Sequence, residues 1–114
     1  MPTPGQKKNT ADAIAAIRAA ENLLTQQIRG TNEVLTAIKL TNEYNNLDSC
    51  LSQLLHVQNS ADDASFANAT SALRSQASGL QADEAAIKTI VGDVQTAATI
   101  INYITQALAF IAKL

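Results

Sequence analysis

An apolar side chain returns at every seventh position along the C-terminal half of this chain, and this repeat strongly constrains the fold. Seven residues are about two turns of an α-helix, so the repeat places these side chains along one helical face. Beyond Ile87 a second apolar set, offset by three residues, widens that face. The repeat comprises Phe66, Leu73, Leu80, Ile87, Val94, Ile101 and Leu108, and the second set Ile90, Ala97, Ile104 and Ile111. The sequence therefore predicts an all-α protein with helices packed side by side.

The N-terminal half predicts a second long helix. Residues 1–9 contain two prolines and a glycine, so we expect a flexible arm there. Thr10 is suited to cap the helix that follows, and Asp12 favours its first turn. Its apolar positions step by three, four or seven residues: Ile14, Ile17, Leu24, Ile28, Leu35 and Ile38. This spacing indicates one continuous helical face.

The apolar pattern changes phase after Ile38. The next apolar positions are Leu40, Tyr44, Leu47, Leu51, Leu54 and Leu55. Such a shift inside one helix rotates the face that meets a partner. A turn is expected at about 58–61, with Ser60 as the cap of the next helix. The sequence thus predicts a single helical domain over 10–114, with helices at about 10–57 and about 61–113.

Two architectures fit these helices. The first is an antiparallel hairpin of two long helices, in which paired residue numbers sum to about 118 and apolar positions meet one another. Two such hairpins would pair into a dimeric four-helix bundle. The second is a single-chain four-helix bundle broken at Gly30 and Gly79. The seven-residue repeat runs through Gly79 and a glycine inside a helix costs only about 1 kcal/mol, so the hairpin is favoured.

The apolar face of the C-terminal helix is wider than one neighbouring helix can cover, which predicts a homodimer. We expect its interaction face to comprise Ile90, Val94, Ile101, Ile104, Leu108 and Ile111. A further helical protein could dock on the same face.

Composition excludes some classes of function. The net charge of −2 and the lack of a basic run longer than Lys7-Lys8 give no reason to expect nucleic-acid binding. The polar N-terminus does not resemble a signal peptide, which predicts a cytoplasmic protein, or alternatively one secreted without a classical signal. Residues 100–114 are too few to span a bilayer, so we expect no membrane insertion, although an amphipathic helix of this kind can lie in an interface.

No catalytic, cofactor-binding or metal-binding residues are predicted. His56 is not three or four residues from another ligand, and the lone Cys50 lies at the edge of the apolar pattern, where a buried filler is expected. Glu33, Glu43, Asp83 and Glu84 fall near mid-length of the hairpin and should form a hydrated waist. The Glu-x-x-His motif typical of di-metal bundles is absent from the chain.

The leading hypothesis is a non-enzymatic helical interaction or structural module that acts through self-association and helix docking. The first alternative is a secreted effector or membrane-active helical protein. The second is a metal or small-ligand binding bundle. A two-helix plan of this length is similar to that of the secreted helical hairpins named for Trp-X-Gly, but this chain has no tryptophan. No family is therefore assigned from the sequence.

Overall fold

The computed structural model describes residues 2–114, which form five α-helices joined by short turns. They are α1 (Pro4–Gly30), α2 (Val34–Gln58), α3 (Asp63–Ala77), α4 (Leu80–Ile90) and α5 (Val94–Ala112). The part of the chain described contains no β-strand. The prediction of an all-α protein is confirmed.

The helices form a single-chain four-helix bundle in which α3 and α4 together make up the third helix. α1 packs against α2 and α5, α2 packs against α3 and α4, and α5 packs against α3 and α4. The bundle measures 47 × 21 × 20 Å. A 27-residue helix such as α1 is about 40 Å long, so each helix runs most of this length and successive helices alternate in direction.

The first helix starts earlier than the sequence indicated. Pro4 occupies the first turn, where a missing N–H is tolerated, and Thr3 is the cap. The Thr3 hydroxyl accepts a hydrogen bond from the Gln6 N–H at 3.1 Å, while the Gln6 side chain accepts one from the Thr3 N–H at 2.9 Å. The predicted arm is therefore helical from Pro4 onward, while Met1 lies outside the described residues. Thr10 is buried inside α1 and donates its hydroxyl to the Gln6 carbonyl.

The prediction of a continuous helix through Gly30 is wrong. Thr31 (φ −95°, ψ 141°) and Glu33 (φ −88°, ψ 121°) have extended backbone angles, so the chain leaves the helix and reverses. The Thr31 hydroxyl accepts a hydrogen bond from the Glu33 N–H at 3.3 Å, which satisfies a backbone donor within the turn. The reversal brings α2 against α1. The two-helix hairpin, in which these segments would follow one another along a single axis, is therefore not the fold.

The C-terminal half reverses at residues 91–93 and not at Gly79. Asp93 is the cap of α5, and its carboxylate accepts hydrogen bonds from the N–H groups of Gln95 and Thr96 at 2.9 and 3.3 Å. Ser78 and Gly79 keep right-handed helical backbone angles, so the chain continues onward from α3 into α4. The predicted helix over about 61–113 is therefore divided. The single-chain bundle was predicted to have its second break at Gly79, and the structure places that break at residues 91–93.

The central turn lies where it was expected, with a different capping residue. Asp62 is the cap of α3, and its carboxylate accepts a hydrogen bond from the Ser65 N–H at 2.8 Å. This hydrogen bond lowers the pKa of Asp62. Ser60, which the sequence suggested as the cap, instead donates its hydroxyl to the His56 carbonyl at the end of α2.

One apolar core runs along the bundle and takes side chains from all the helices. In the third helix of the bundle it contains the seven-residue repeat, since Phe66, Leu73, Leu80 and Ile87 are all buried. The repeat leaves the core after the reversal, where Val94 is 82% exposed. α5 uses the second, offset set instead: its buried residues are Ala97, Ile100, Ile104, Ala107 and Ile111.

Two leucines near the start of α2 test this fold. Leu40 is 2% exposed in the core, whereas Leu35, which the sequence pattern placed on the buried face, is 72% exposed. We expect Leu40→Ala to lower the free energy of unfolding by about 2–5 kcal/mol and Leu35→Ala to change it by less than about 0.5 kcal/mol. Urea denaturation followed by circular dichroism measures both, at a protein concentration where the chain is monomeric so that self-association does not contribute. Similar losses for the two variants would contradict the bundle and favour the hairpin.

Candidate functional site

The residues predicted to form the interaction face do not share one surface. Ile104 and Ile111 are in the core, where they contribute to closing the bundle and are not available to a partner. Ile90, Ile101 and Leu108 are half-buried at its edge, and Val94 is exposed. The predicted face is therefore corrected: its widest part packs within the chain, because α5 has neighbours on two sides.

An apolar surface that sequence reasoning missed lies on the outer side of α2. Val34, Leu35 and Ile38 are 73%, 72% and 51% exposed, and we call them the outer α2 stripe. With 3.6 residues per turn, they lie on the side of α2 opposite the buried Leu40 and Leu47. The phase shift after Ile38 was the sequence signal. It marks the point where the apolar residues of α2 change from the outer side to the core side.

A second apolar surface is the α4–α5 groove, with a volume of about 540 Å³. Val91 is buried in its floor and Val94 is exposed at its edge. Beside it, the Thr105 hydroxyl donates a hydrogen bond to the Glu84 carboxylate at 3.1 Å. The groove is lined by Lys88, Val91, Val94, Ala97, Ala98, Ile101, Asn102 and Thr105.

Two pairs of carboxyl groups join α2 to its neighbours. In the first, Glu21 of α1 lies within hydrogen-bonding reach of Asp48 of α2. Glu21 is only 5% exposed. Burial, followed by the contact with Asp48 and its charge, raises the pKa of Glu21 to about 7, while the charge of Arg18 lowers it.

The second pair is Glu43 of α2 with Asp83 of α4, both 9% exposed. Burial, then the hydrogen bond with Asp83 and its charge, raises the pKa of Glu43 to about 7. Asn46 donates its side-chain amide to Asp83 at 3.0 Å, which fixes one side of the pair. A carboxyl group buried beside a second one is less costly when it is protonated, because the two are then not both charged.

The sequence placed Glu43 and Asp83 at the same level but predicted a hydrated waist. The structure buries both and leaves Glu33 exposed, so that expectation is wrong for the pair. The pair formed by Glu21 was missed. The sequence signal for this pair was the spacing of Glu21, which lies between Ile17 and Leu24 on the same helical face. Glu43 lies in the same way between Leu40 and Leu47, so each carboxylate occupies a core position.

Cys50 is fully buried, as expected for a packing residue. Burial, with the charges of Asp83 and Glu21, raises the pKa of its thiol to about 12, so it is a poor nucleophile in the closed bundle. His56 is exposed near the end of α2. Among residues 2–114, no group of three or more His, Cys, Asp or Glu side chains is placed to hold a metal ion.

α5 is the one helix in the described range that is long and apolar enough to cross a membrane by length and composition, with a mean hydropathy of 1.2. A core helix of a soluble protein meets the same criteria, and five of the 19 residues of α5 are buried in the bundle.

Comparisons of the chain with protein-family models, curated proteins and solved structures give no match. The function is therefore argued from the surfaces and the buried groups alone.

The raised pKa of Glu43 makes stability depend on pH. Because protonated Glu43 is favoured in the folded state, its contribution is fully present below the unfolded pKa of 4.5 and is lost as pH rises through about 7. We expect the melting temperature to fall by several degrees between pH 5 and pH 8, and Glu43→Gln to reduce that fall. Thermal melts by circular dichroism measure it. The exposed Glu33→Gln is the control, and an identical fall in the Glu43→Gln variant would contradict the assignment.

Proposed function

We propose that this chain is a non-enzymatic helical module that associates with a second copy of itself through the outer α2 stripe. The observation that carries the proposal is the exposure of Val34, Leu35 and Ile38 on adjacent turns of one helix face. Isolated apolar residues on a surface need no explanation, but adjacent ones on one helical face are typical of an interaction site.

The surroundings of the stripe favour a second copy as the occupant. The outer side of α2 continues from Ile38 into Thr41, Asn42 and Asn45, which are exposed and uncharged, and the exposed Glu33 and Lys39 flank the stripe with opposite charges. Two identical surfaces meeting about a two-fold axis near residue 36 would therefore bring Glu33 of one copy towards Lys39 of the other, so that opposite charges meet. The α4–α5 groove is less suited to self-pairing, since Lys88 at its edge would carry the same charge on both copies. It remains available to dock a helix of another protein.

The first test measures whether a charge placed in the outer α2 stripe lowers the average mass of the protein in solution by breaking the dimer. We expect the wild-type chain to dimerise with increasing concentration, and Leu35→Glu to raise the dissociation constant by at least about tenfold, since two carboxylates would then meet at the interface. Sedimentation equilibrium measures it, with circular dichroism to show that the bundle is intact. Val94→Glu, at the groove, is the matched control. A wild-type monomer up to several hundred micromolar would sink the proposal, and loss of the dimer only in Val94→Glu would move the interface to the groove.

A cross-link locates the interface directly. In a Cys50→Ala background, Leu35→Cys or Ile38→Cys should form an intermolecular disulfide under mild oxidation, because a two-fold contact brings equivalent residues close together. Ser71→Cys, on the exposed side of α3, is the control and should stay reduced at the same concentration. Equal cross-linking at Ser71→Cys would indicate random collision and remove the support for the stripe.

A membrane-active protein is the second candidate, and the length and hydropathy of α5 favour it. We expect little leakage from dye-loaded vesicles if α5 stays in the core, and strong leakage if it inserts. Val94→Lys places a charge on the exposed first turn of α5 and should suppress insertion without opening the core. The full chain is required, because deleting the last turns would remove Ile104 and Ile111 from the core. Leakage that Val94→Lys suppresses would favour this candidate over self-association.

A further inference from the structure

The two carboxyl pairs hold α2 from both sides at mid-length of the bundle. Glu21 of α1 contacts Asp48 on one side of α2, and Glu43 of α2 contacts Asp83 of α4 on the other. Glu21 and Glu43 are 5% and 9% exposed, and the Oε2 atom of each is buried without a hydrogen-bond partner. Such orphaned oxygens are costly to bury, most of all on a charged group, and call for an explanation.

The charges that face these glutamates are mostly negative. Asp48 and Tyr44 face Glu21 from α2, and Arg18 is the cation from its own helix whose charge acts on it. Asp83 faces Glu43 from α4, beside the Asn46 amide. α5, which packs against both α1 and α4, contains no charged residue, and the charged residues of α3 do not contribute to either shift. A proton is therefore the simplest counter-charge for each pair.

We propose that the Glu21–Asp48 and Glu43–Asp83 pairs are proton-dependent contacts that keep α2 in the bundle when protonated and release it locally when both protons are lost. No bond other than the O–H bond changes, and each proton passes to water or buffer. After release, four carboxylates lie around the middle of α2. Asp48 is already exposed in the closed bundle, and opening lets water reach Glu21, Glu43 and Asp83. This inference does not rest on self-association through the outer stripe.

The change falls in the neutral range, because burial and the neighbouring carboxyl groups raise the pKa of both glutamates to about 7 from an ordinary 4.5. If local opening restores the ordinary value, the opening equilibrium increases about tenfold per glutamate between pH 6 and pH 8. If both glutamates are released together, the opening equilibrium increases by up to about a hundredfold over the same range. Opening is greater at the higher pH, since the protonated form is the one that the closed bundle prefers.

Cys50 is a built-in probe of this opening, since it lies in the core of α2 and is the only cysteine in the chain. The experiment measures its labelling rate with a disulfide reagent at pH 6 and pH 8. Each rate is divided by the rate for the same protein in guanidinium chloride, which removes the intrinsic pH dependence of the thiol. We expect the resulting protection of Cys50 to fall between tenfold and a hundredfold over this range.

Four variants decide the cause. The double variant Glu21→Gln, Glu43→Gln should show protection that changes less than about threefold between the two pH values, and each single variant should retain part of the fall. Glu33→Gln, which replaces an exposed carboxylate in the turn just before α2, should behave as the wild type. Should the double variant not fold, the two single variants carry the same test.

Equal protection of wild-type Cys50 at pH 6 and pH 8 would overturn the proposal, as would an undiminished fall in the variants. Calcium or manganese ions added at pH 8 supply a further arm. Restored protection at micromolar metal would show that the pairs bind a cation and are not operated by protons, which also overturns it. No effect of metal, with a fall that depends on Glu21 and Glu43, supports it.

Discussion

The structure depends on the burial of apolar helix faces that are each too wide for one neighbour. A pair of helices in contact along a single line leaves the edges of such faces in water, and those edges include leucine and isoleucine side chains. The reversals at residues 31–33 and 91–93 supply the missing neighbours from the same chain. They bring α2 beside α1 and α5 beside α4, so that each helix of the bundle packs against two others.

The observed bundle is closely related to the long hairpin that the spacing predicted. In both, α1 runs antiparallel to α5 and α2 runs antiparallel to α3, because both keep the central turn at residues 59–62. The pairing of apolar positions about that turn therefore could not separate the two folds. What differs is the origin of the other two neighbours: a second chain in the hairpin dimer, and the same chain folded over in the bundle.

α2 departs from the usual distribution of residues on both of its sides. Its inner side carries Glu43 in the core, while its outer side carries Val34, Leu35 and Ile38 in contact with solvent. At the edge between these sides the exposed Asp48 meets the buried Glu21. Each departure costs stability in an isolated bundle, since carboxylates resist burial and apolar groups resist exposure. Departures from the usual distribution of polar and apolar residues are expected where function requires them. The outer α2 stripe and the carboxyl pairs both involve this one helix.

The helix faces on which the paired acidic residues lie could largely be inferred from sequence spacing, but the burial of these residues could not. Glu21, Glu43 and Asp83 each occupy a position that helical spacing assigns to the core. A single carboxylate at such a position usually reaches solvent at an edge, so a hydrated waist was the reasonable prediction. Which carboxylates meet depends on the neighbour that each helix acquires after the chain reverses. In the hairpin Glu21 and Asp48 would lie far apart along one continuous helix, so no spacing argument within that fold could pair them.

The sequence by itself determined the helical class, the side-by-side packing and the central turn, because seven-residue apolar spacing and a run of short polar turn residues are local properties. Only the tertiary structure decided where the helices reverse and which apolar set of α5 faces inward. The physical reason is one of magnitude. A glycine changes local helix stability by about 1 kcal/mol, and burial of one leucine or isoleucine contributes about 1.5–3 kcal/mol. The reversals at residues 31–33 and 91–93, and the absence of one at Gly79, were therefore decided by the core that the reversals complete, with Asp93 to cap the helix after the last.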